Sequence, residues 1–221
     1  MTKKEKTPLK LPIYTLGEEL CNAISHGLGA GLSIAGCVVA IVFAALYGDA
    51  WSVVSASIFG ASLIITYTTS TLYHALTNKT AKRVFRILDH STIFLLIAGT
   101  YTPMTLIVLR GTMGWILFGV VWAAAILGIV LNAIGLEKFK VFSMISYVAS
   151  GWAALFAIVP LYRIMNPVAF WMLVGGGVAY TVGIIFFALK VKYMHAIWHL
   201  FVIGGSILHY FMILFYVLPI K

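Results

Sequence analysis

The chain has 221 residues, of which 62% are hydrophobic and only 10% are charged. A soluble domain of this length needs more charge to cover its surface, so the composition predicts a protein that is surrounded by lipid. The formal net charge of +9 is spread between long apolar segments instead of forming one patch. This distribution argues against a nucleic-acid partner and favours contacts with membrane lipids, including anionic headgroups.

Seven apolar segments follow one another along the chain, each close to the ~20 residues that a helix needs to cross the hydrocarbon layer. Short breaks containing Gly, Asn, Pro or Lys separate them. We therefore predict an all-α membrane protein: a flexible basic cytoplasmic tail over residues 1–14, then one domain of seven transmembrane helices over residues 15–221. The predicted spans cover residues 25–46, 53–75, 87–109, 113–134, 141–162, 168–189 and 194–218.

Polar residues at helical spacing precede and open the first span. Thr15 and Glu18 fit a capping box, so they predict a helix that starts before the membrane. Glu19, Asn22 and His26 then fall on one face of that helix. We expect this face to support a neighbouring site or to dock the basic loop after the second span, in preference to binding a metal directly.

The second and third spans place polar side chains on both sides of the loop that joins them. Ser70 and His74 stand four residues apart on one helical face. Asp89 is the only acidic residue within a predicted span, and an unpaired carboxylate there is costly. Two explanations are open, a salt bridge to Arg86 on the same helical face or a functional site. His90 points about 100° away from Asp89 and is assigned to packing or a supporting role.

Proline and glycine positions predict local features of the helices. Pro103 lies inside the third span and predicts a kink there. Gly27 and Gly31 form a GxxxG pair in the first span, and three consecutive glycines at 175–177 lie in the sixth. These small residues predict close contacts between helices.

The seventh span opens with His195 and His199, which share a helical face and can bind one metal ion through two imidazoles. Because Ala196 follows His195, the sequence is not HExxH, and a metalloprotease helix is excluded. For this pair alone, a hydrogen-bonded polar seam between helices is an equally good explanation. His209 lies deeper in the span and is assigned to packing or to support of the site.

The basic residues predict the orientation of the seven spans. The tail and the second, fourth and sixth loops together hold twelve of the fifteen lysines and arginines, and the other side holds three. By the positive-inside rule the N-terminus is cytoplasmic and, after seven spans, the C-terminus is outside. This orientation is the reverse of that of a rhodopsin-like receptor.

This topology brings the candidate residues to one membrane depth. The second span ends on the cytoplasmic side, and the third and seventh begin there, so four residues are expected in the same leaflet: His74, Asp89, His195 and His199. Three imidazoles and a carboxylate can surround a zinc ion and leave a position for water. Histidines that serve only packing have no reason to choose one leaflet, so the shared depth favours a metal site.

Together these motifs resemble the haemolysin III branch of the progestin and adipoQ receptor family, which includes the adiponectin receptors and is related to alkaline ceramidases. Each motif is short, but their order and spacing on seven helices make the resemblance specific. The matching pieces are Glu19-x-x-Asn22-x-x-x-His26, Ser70-x-x-x-His74, Asp89, and His195-x-x-x-His199 with His209 beyond.

The resemblance implies a zinc ion held by His74, His195 and His199. It further implies that Asp89 acts on the zinc-bound water and that Ser70 lies close to the site. A bacterial inner-membrane location is also implied. The long N-terminal region of the receptor-type members is absent from this sequence, so we do not expect hormone sensing.

Three functions fit these features. The first is a zinc-dependent hydrolase of a lipid amide or ester, in which an acyl-lipid substrate enters from the membrane, Asp89 is the base and Ser70 donates to the oxyanion. The second is a membrane sensor or regulator in which zinc is structural. The third, a haemolysin-type pore former, ranks last because apolar spans without a charged stripe are typical of a resident membrane protein. The sequence specifies neither the substrate nor the oligomeric state.

The charge asymmetry generates a topology prediction. A reporter fused after Lys221 should be active outside the cytoplasm, and the same reporter inserted in the loop at residues 78–86 should report the cytoplasm. Paired activities of a periplasm-active and a cytoplasm-active reporter at each position provide the measurement. A cytoplasmic C-terminus would contradict both the orientation and the shared-depth argument.

Overall fold

The computed structural model describes residues 9–219, and every regular element in that range is helical. Seven helical segments are long and apolar enough to cross a membrane, which confirms the predicted fold class. The helices are α1 Leu16–Tyr47, α2 Ala50–Ala75, α3 Lys79–Pro103, α4 Thr112–Gly135, α5 Lys140–Gly151, α6 Ile158–Ile164, α7 Pro167–Ala188 and α8 Met194–Met212.

The first helix starts well before its apolar segment, as the capping box predicted. The side chain of Glu18 accepts a hydrogen bond from Thr15 N at 2.9 Å, and Thr15 Oγ1 accepts one from Glu18 N at 3.3 Å. At 32 residues, α1 is about 48 Å long and exceeds the ~30 Å hydrocarbon layer. The extra turns carry the polar face of α1 to the end of the bundle where α2 ends and α3 begins, which we call the basic face.

The third span changes helix type at the predicted position. Pro103 ends α3, and a π-helical segment, Met104–Val108, continues the span. Its closing hydrogen bond runs from Leu109 N to Met104 O at 3.0 Å. Proline lacks the N–H group that an α-helix needs, and a wider turn is one way for a helix to pass this position.

The fifth span is interrupted, whereas the sequence predicted one continuous helix over residues 141–162. The 3₁₀ segment Ala153–Ala157 separates α5 from α6. Tyr101 of α3 causes the break, because its hydroxyl donates to Gly151 O at 2.8 Å and accepts from Ala154 N at 2.7 Å. A side chain that bonds to these backbone groups replaces the helix's own hydrogen bonds.

Glycines allow α1, α2 and α3 to approach closely, but not all at the predicted positions. A Cβ on Gly31 would meet no atom of the described residues within 4 Å, so the close contact expected there is absent from this part of the chain. A Cβ on Gly60 would lie 2.3 Å from Cys37 Sγ, and one on Gly99 would lie 2.2 Å from Ser62 Oγ. The tight helix contacts therefore involve Gly60 and Gly99, which stand outside any GxxxG pair.

This packing predicts that Gly99→Ala destabilises the protein, whereas the matched control Gly31→Ala does not. The added methyl group at Gly99 overlaps Ser62, and overpacking of this kind costs about 1–3 kcal/mol. Thermal unfolding in detergent should show a midpoint lowered by several degrees for Gly99→Ala and unchanged or slightly raised for Gly31→Ala. Equal midpoints for the two variants would contradict the close approach of α2 and α3.

Candidate metal centre

Three histidines from two helices meet at the basic face. His74 lies in the last turn of α2, and His195 and His199 lie in the first two turns of α8. Each offers one ring nitrogen, and these three atoms lie within 4.8 Å of one another. Donor atoms about 2 Å from a single zinc ion are at most about 4 Å apart, so small ring movements would bring all three to one ion. The group could therefore hold a metal ion.

The orientation of His74 is set by a carboxylate on α1. Its Nδ1 lies 2.7 Å from Glu19 Oε2, and a carboxylate oxygen accepts the hydrogen that Nδ1 then carries. Nε2 is consequently a bare acceptor, and it is buried without a hydrogen-bond partner among the described residues. A carboxylate behind the ring and a free nitrogen in front of it is the usual arrangement of a metal-binding histidine.

His199 is oriented in the same way by the backbone of α1. Its Nδ1 lies 3.2 Å from Asn22 O and 3.1 Å from Ser25 Oγ. Because the carbonyl can only accept, Nδ1 carries the hydrogen and Nε2 keeps its lone pair for a metal. His195 Nε2 is also buried and has no partner within residues 9–219. Three neutral imidazole nitrogens form a donor set that suits zinc.

The start of α8 is tied to the start of α1. Tyr193 precedes α8 in a left-handed conformation, with φ of 63°, and its N–H donates to Glu18 Oε1 at 3.2 Å. Glu18 therefore both closes the capping box of α1 and fixes the residue before α8. This contact sets the position at which His195 enters the centre.

Glu19 also contacts the basic segment that follows α2. Its Oε1 lies 2.6 Å from Lys82 Nζ, while Oε2 contacts His74. The sequence left two roles open for this face of α1, supporting a neighbouring site or docking the basic loop. Glu19 alone makes both contacts, one with His74 and one with Lys82.

Asp89 lines the cavity outside the group of three histidines and is not part of the salt bridge considered above. Arg86 instead pairs with Glu137 Oε1 at 2.7 Å and donates to Lys10 O at 2.6 Å. Within residues 9–219, Asp89 forms no ion pair, and it lines the same cavity as His195 and His199. The pairing with Arg86 is therefore wrong, because the guanidinium is directed towards the loop after α4.

Ser70 and His26 take different positions around the histidines. Ser70 is buried one turn before His74, with no partner for its hydroxyl among the described residues, and it is not on the cavity wall. His26 stacks on His199, with ring centroids 3.5 Å apart and planes inclined by 9°, and it does line the cavity. Both nitrogens of His26 are buried and lack partners in the described part of the chain.

His209 is remote from this group. Its Nε2 lies 3.1 Å from Leu173 O, and its ring packs beside Tyr180 with centroids 5.6 Å apart. His90 contacts Phe187 and also lines the cavity. Neither histidine offers a nitrogen to the metal group.

A largely apolar cavity of about 110 Å³ extends from His195 and His199 into the bundle. Helices α3, α5, α7 and α8 form most of its wall. Polar side chains stand near its metal end, and further polar groups stand at its deep end. The metal-end residues are His26, Asp89, His90, His195 and His199, and the deep-end residues include Thr100, Tyr101, Tyr180, Thr181 and His209.

Tyr14 covers the centre and was not recognised from the sequence. Its ring lies 5.7 Å from that of His74 and 5.5 Å from that of His195. Burial raises the pKa of Tyr14 to about 12, and the nearby carboxylates of Asp89 and Glu19 add to the effect, so its hydroxyl stays neutral. The signal in the sequence was the capping box, because Tyr14 directly precedes it and the box fixes how the chain enters α1.

The segment before Tyr14 is held by the start of α3. Arg83 Nε donates to Leu9 O at 3.1 Å, and Arg86 donates to Lys10 O. Residues 1–8 of the expected flexible tail lie outside the described residues. The part of the tail that is described crosses the basic face above the histidines.

A family model described as haemolysin-III related matches residues 14–210, a range that contains every residue of the metal centre. The chain belongs to the haemolysin-III-related family. It is a multi-pass membrane protein of that family, and the resemblance drawn from its motifs is confirmed.

Relatives of this haemolysin-III-related chain cover nearly its whole length. It is 45% identical over 205 residues to a Hemolysin-3 homolog of Bacillus subtilis, covering 92% of this chain and 96% of that protein. It is 46% identical over 203 residues to Hemolysin-3 of Bacillus cereus, covering 91% and 93%. It is 27% identical over 206 residues to the human monocyte to macrophage differentiation factor, covering 90% and 84%. No solved structure matches the chain.

The geometry predicts that His195→Ala and His199→Ala each lose zinc. Removing one of three protein ligands takes away much of the binding free energy, so zinc per chain should fall from about one to well below half. His90→Ala is the matched control, because this histidine lines the cavity without belonging to the metal group. Metal analysis of the purified variants gives the answer, and full zinc occupancy in both test variants would mean that the histidines are only a polar seam.

Proposed function

We propose that this protein is a zinc-dependent hydrolase of a lipid amide or ester in the bacterial inner membrane, with its site in the cytoplasmic leaflet. The observation that carries the proposal is a three-histidine group beside an unpaired carboxylate on the wall of a largely apolar cavity. Such a combination supplies a metal, a base and a place for an acyl chain within one membrane protein.

The three histidines are the proposed ligands of the zinc ion. When bound, zinc supplies a Lewis acid that polarises a substrate carbonyl and makes a water molecule more acidic. Glu19 holds His74, and the Asn22 carbonyl with Ser25 holds His199, so both rings keep Nε2 free for the metal and need only small movements to reach one ion. Held in this way, the ligand atoms need little ordering when the metal binds.

Asp89 is the proposed general base. Within residues 9–219 it is the only acidic residue that lines the cavity, and no cation in that range neutralises it by an ion pair. A carboxylate without such a partner is available to take a proton from the attacking water and to pass it to the leaving group. Arg86 does not compete for Asp89, because Glu137 occupies it.

We assign Ser70 and Tyr14 supporting roles. The hydroxyl of Ser70 is buried without a partner one turn from His74, so it is available to donate towards a bound oxyanion. Its place behind the cavity wall makes this contribution smaller than that of Asp89. Tyr14 packs against the rings of His74 and His195 without lining the cavity, and its ring limits their direct contact with water.

The cavity supports an acyl-lipid substrate. Its wall is mostly aliphatic and aromatic, and it continues from the histidines towards the middle of the bundle. An acyl chain in this cavity would place its carbonyl among the polar residues at the metal end. The basic loops at the same face favour the cytoplasmic leaflet, by the charge asymmetry of the chain.

A membrane sensor with structural zinc is the second candidate. It is favoured because the three histidines come from two helices far apart in the sequence, so a bound metal ion would join α2 to α8. This function explains neither the unpaired Asp89 nor the cavity. Pore formation, which the name Hemolysin-3 of two relatives suggests, has less support, because no helix within residues 9–219 carries a charged stripe through its span.

The hydrolase proposal predicts that Asp89→Asn keeps zinc but loses lipid hydrolysis. The amide still forms hydrogen bonds but cannot take a proton, so the rate should fall about 10²- to 10⁴-fold. Ser70→Ala should show a smaller loss. Zinc per chain and release of fatty acid from N-acyl and O-acyl lipids in vesicles are measured on the same preparations.

The matched control for this test is Asp49→Asn. It removes one carboxylate that pairs with Arg110 at the opposite face, far from the metal centre, and it should leave hydrolysis unchanged. Undiminished hydrolysis in Asp89→Asn would rule out the mechanism. If no preparation hydrolyses lipid, wild type included, while zinc is retained, the sensor function becomes the better explanation.

A further inference from the structure

The deep end of the cavity holds a second pair of polar side chains, apart from the metal centre. His209 stands on α8 ten residues after His199, about 15 Å further along the helix axis. Tyr180 of α7 lies beside it, with ring centroids 5.6 Å apart. Both residues line the cavity, and the proposed mechanism uses neither.

His209 presents an unused hydrogen-bond acceptor. Its Nε2 lies 3.1 Å from Leu173 O, and since a carbonyl only accepts, Nε2 carries the hydrogen of the neutral ring. Nδ1 is therefore an acceptor, and it is buried with no partner among the described residues. His209 as a whole is only 6% exposed. Buried acceptors are rarely left unpaired, so a donor is expected at this position.

Tyr180 supplies a hydrogen-bond donor next to this acceptor. Tyr67 donates to Ser206 Oγ at 2.7 Å, and Ser206 Oγ lies 2.8 Å from the Tyr180 hydroxyl. Because Ser206 accepts from Tyr67, it can give its own hydrogen to Tyr180. Tyr180 then retains its hydrogen for a group in the cavity.

Two glycines hold these rings in place. A Cβ on Gly176 would lie 2.2 Å from His209 Nε2, so the imidazole fits between α7 and α8 only because this residue has no side chain. A Cβ on Gly205 would lie 2.9 Å from the ring of Tyr180. The backbone of each helix thus makes room for the polar ring of the other.

His209 lies at a junction between two cavities and not at a closed end. A second cavity of about 50 Å³ shares Thr100, Tyr101, Gly177 and His209 with the first, and it continues among apolar side chains. A chain that begins at the metal centre would therefore pass His209 and extend beyond it. The polar pair would meet the middle of such a chain.

We propose that His209 and Tyr180 bind a hydroxyl group on the middle of an acyl chain. The inference rests on the proposed function, because it takes the cavity as the place of an acyl chain. A hydroxyl group both donates and accepts, so it can give its hydrogen to His209 Nδ1 and accept one from Tyr180. An acyl chain without a hydroxyl group would leave His209 Nδ1 unpaired. A carboxylate would also leave it unpaired, because its oxygens only accept hydrogen bonds. The protein therefore selects lipids with a hydroxylated acyl chain.

Binding of fatty acids tests this selection without any need for hydrolysis. The purified full-length protein in detergent is titrated with stearate, an alpha-hydroxystearate and a mid-chain hydroxystearate, in competition with a fluorescent fatty acid. Wild type should bind the mid-chain hydroxystearate about tenfold more tightly than stearate, as one or two added hydrogen bonds allow. The alpha-hydroxystearate should show no such preference over stearate.

Two variants and one control complete the test. His209→Phe should abolish the preference while stearate binding persists, and Tyr180→Phe should reduce it by several-fold. His90→Phe, a change at the metal end of the same cavity, should keep it. Thermal unfolding of each variant checks that the fold is retained.

The outcomes separate the inference from the proposed function. Equal affinity of wild type for stearate and mid-chain hydroxystearate would overturn the inference and indicate that water fills the site. A preference that survives in both His209→Phe and Tyr180→Phe would also overturn it, and so would a failure of every fatty acid to bind. A preference lost in these variants, in a protein that hydrolyses no lipid, would leave the hydroxyl site in place and reject only the hydrolase.

Discussion

The hydrogen bond between Glu19 and His74 is the interaction on which the basic face depends. It joins α1 to α2 at the end of the bundle, where the Glu19 side chain is only 18% exposed and a carboxylate without partners would be unfavourable. Glu19 meets this requirement with two partners, the imidazole of His74 and the ammonium group of Lys82. The same contact decides which nitrogen of His74 is free, and so where a metal ion can sit. The loop after α2 is thereby fixed against α1, beside the chain segment that covers the centre.

The first helix organises this face although it contributes none of the three metal-group histidines. Its first turns fix His74 through Glu19, His199 through the carbonyl of Asn22, and the start of α8 through Glu18. His26, one turn further, stacks on His199 and reaches the cavity. A helix longer than the membrane thickness allows one element to do all of this, because its polar turns lie beyond the apolar span.

The cavity lies where the helices do not pack along their full length, because polar side chains bond to the backbone and side chains of neighbouring spans. Tyr101 bonds to the backbone of the fifth span and breaks it into α5 and α6, and Trp152 at the break bonds to Thr181 of α7. The interruption stands next to Thr100, Gly177 and His209, where the two cavities meet. Regular helices packed along their full length would close this space. A broken span therefore connects the fold to the proposed binding of a hydroxylated chain.

The sequence alone determined the features that depend on local periodicity and on hydropathy. Apolar length predicted seven spans, the capping box predicted the early start of α1, and the four-residue spacing put His195 and His199 on one face. Only the tertiary structure decided the features that depend on which helices are neighbours. Arg86 had a plausible partner in Asp89 one turn away, yet it pairs with Glu137 across a loop. Tyr101 looks like any other aromatic residue of a span until α3 packs against the fifth span. The position of Tyr14 over the histidines and the shape of the cavity likewise depend on how the helices pack together. The seven apolar segments are similar in length and composition, so none of them shows by itself which helices will be its neighbours.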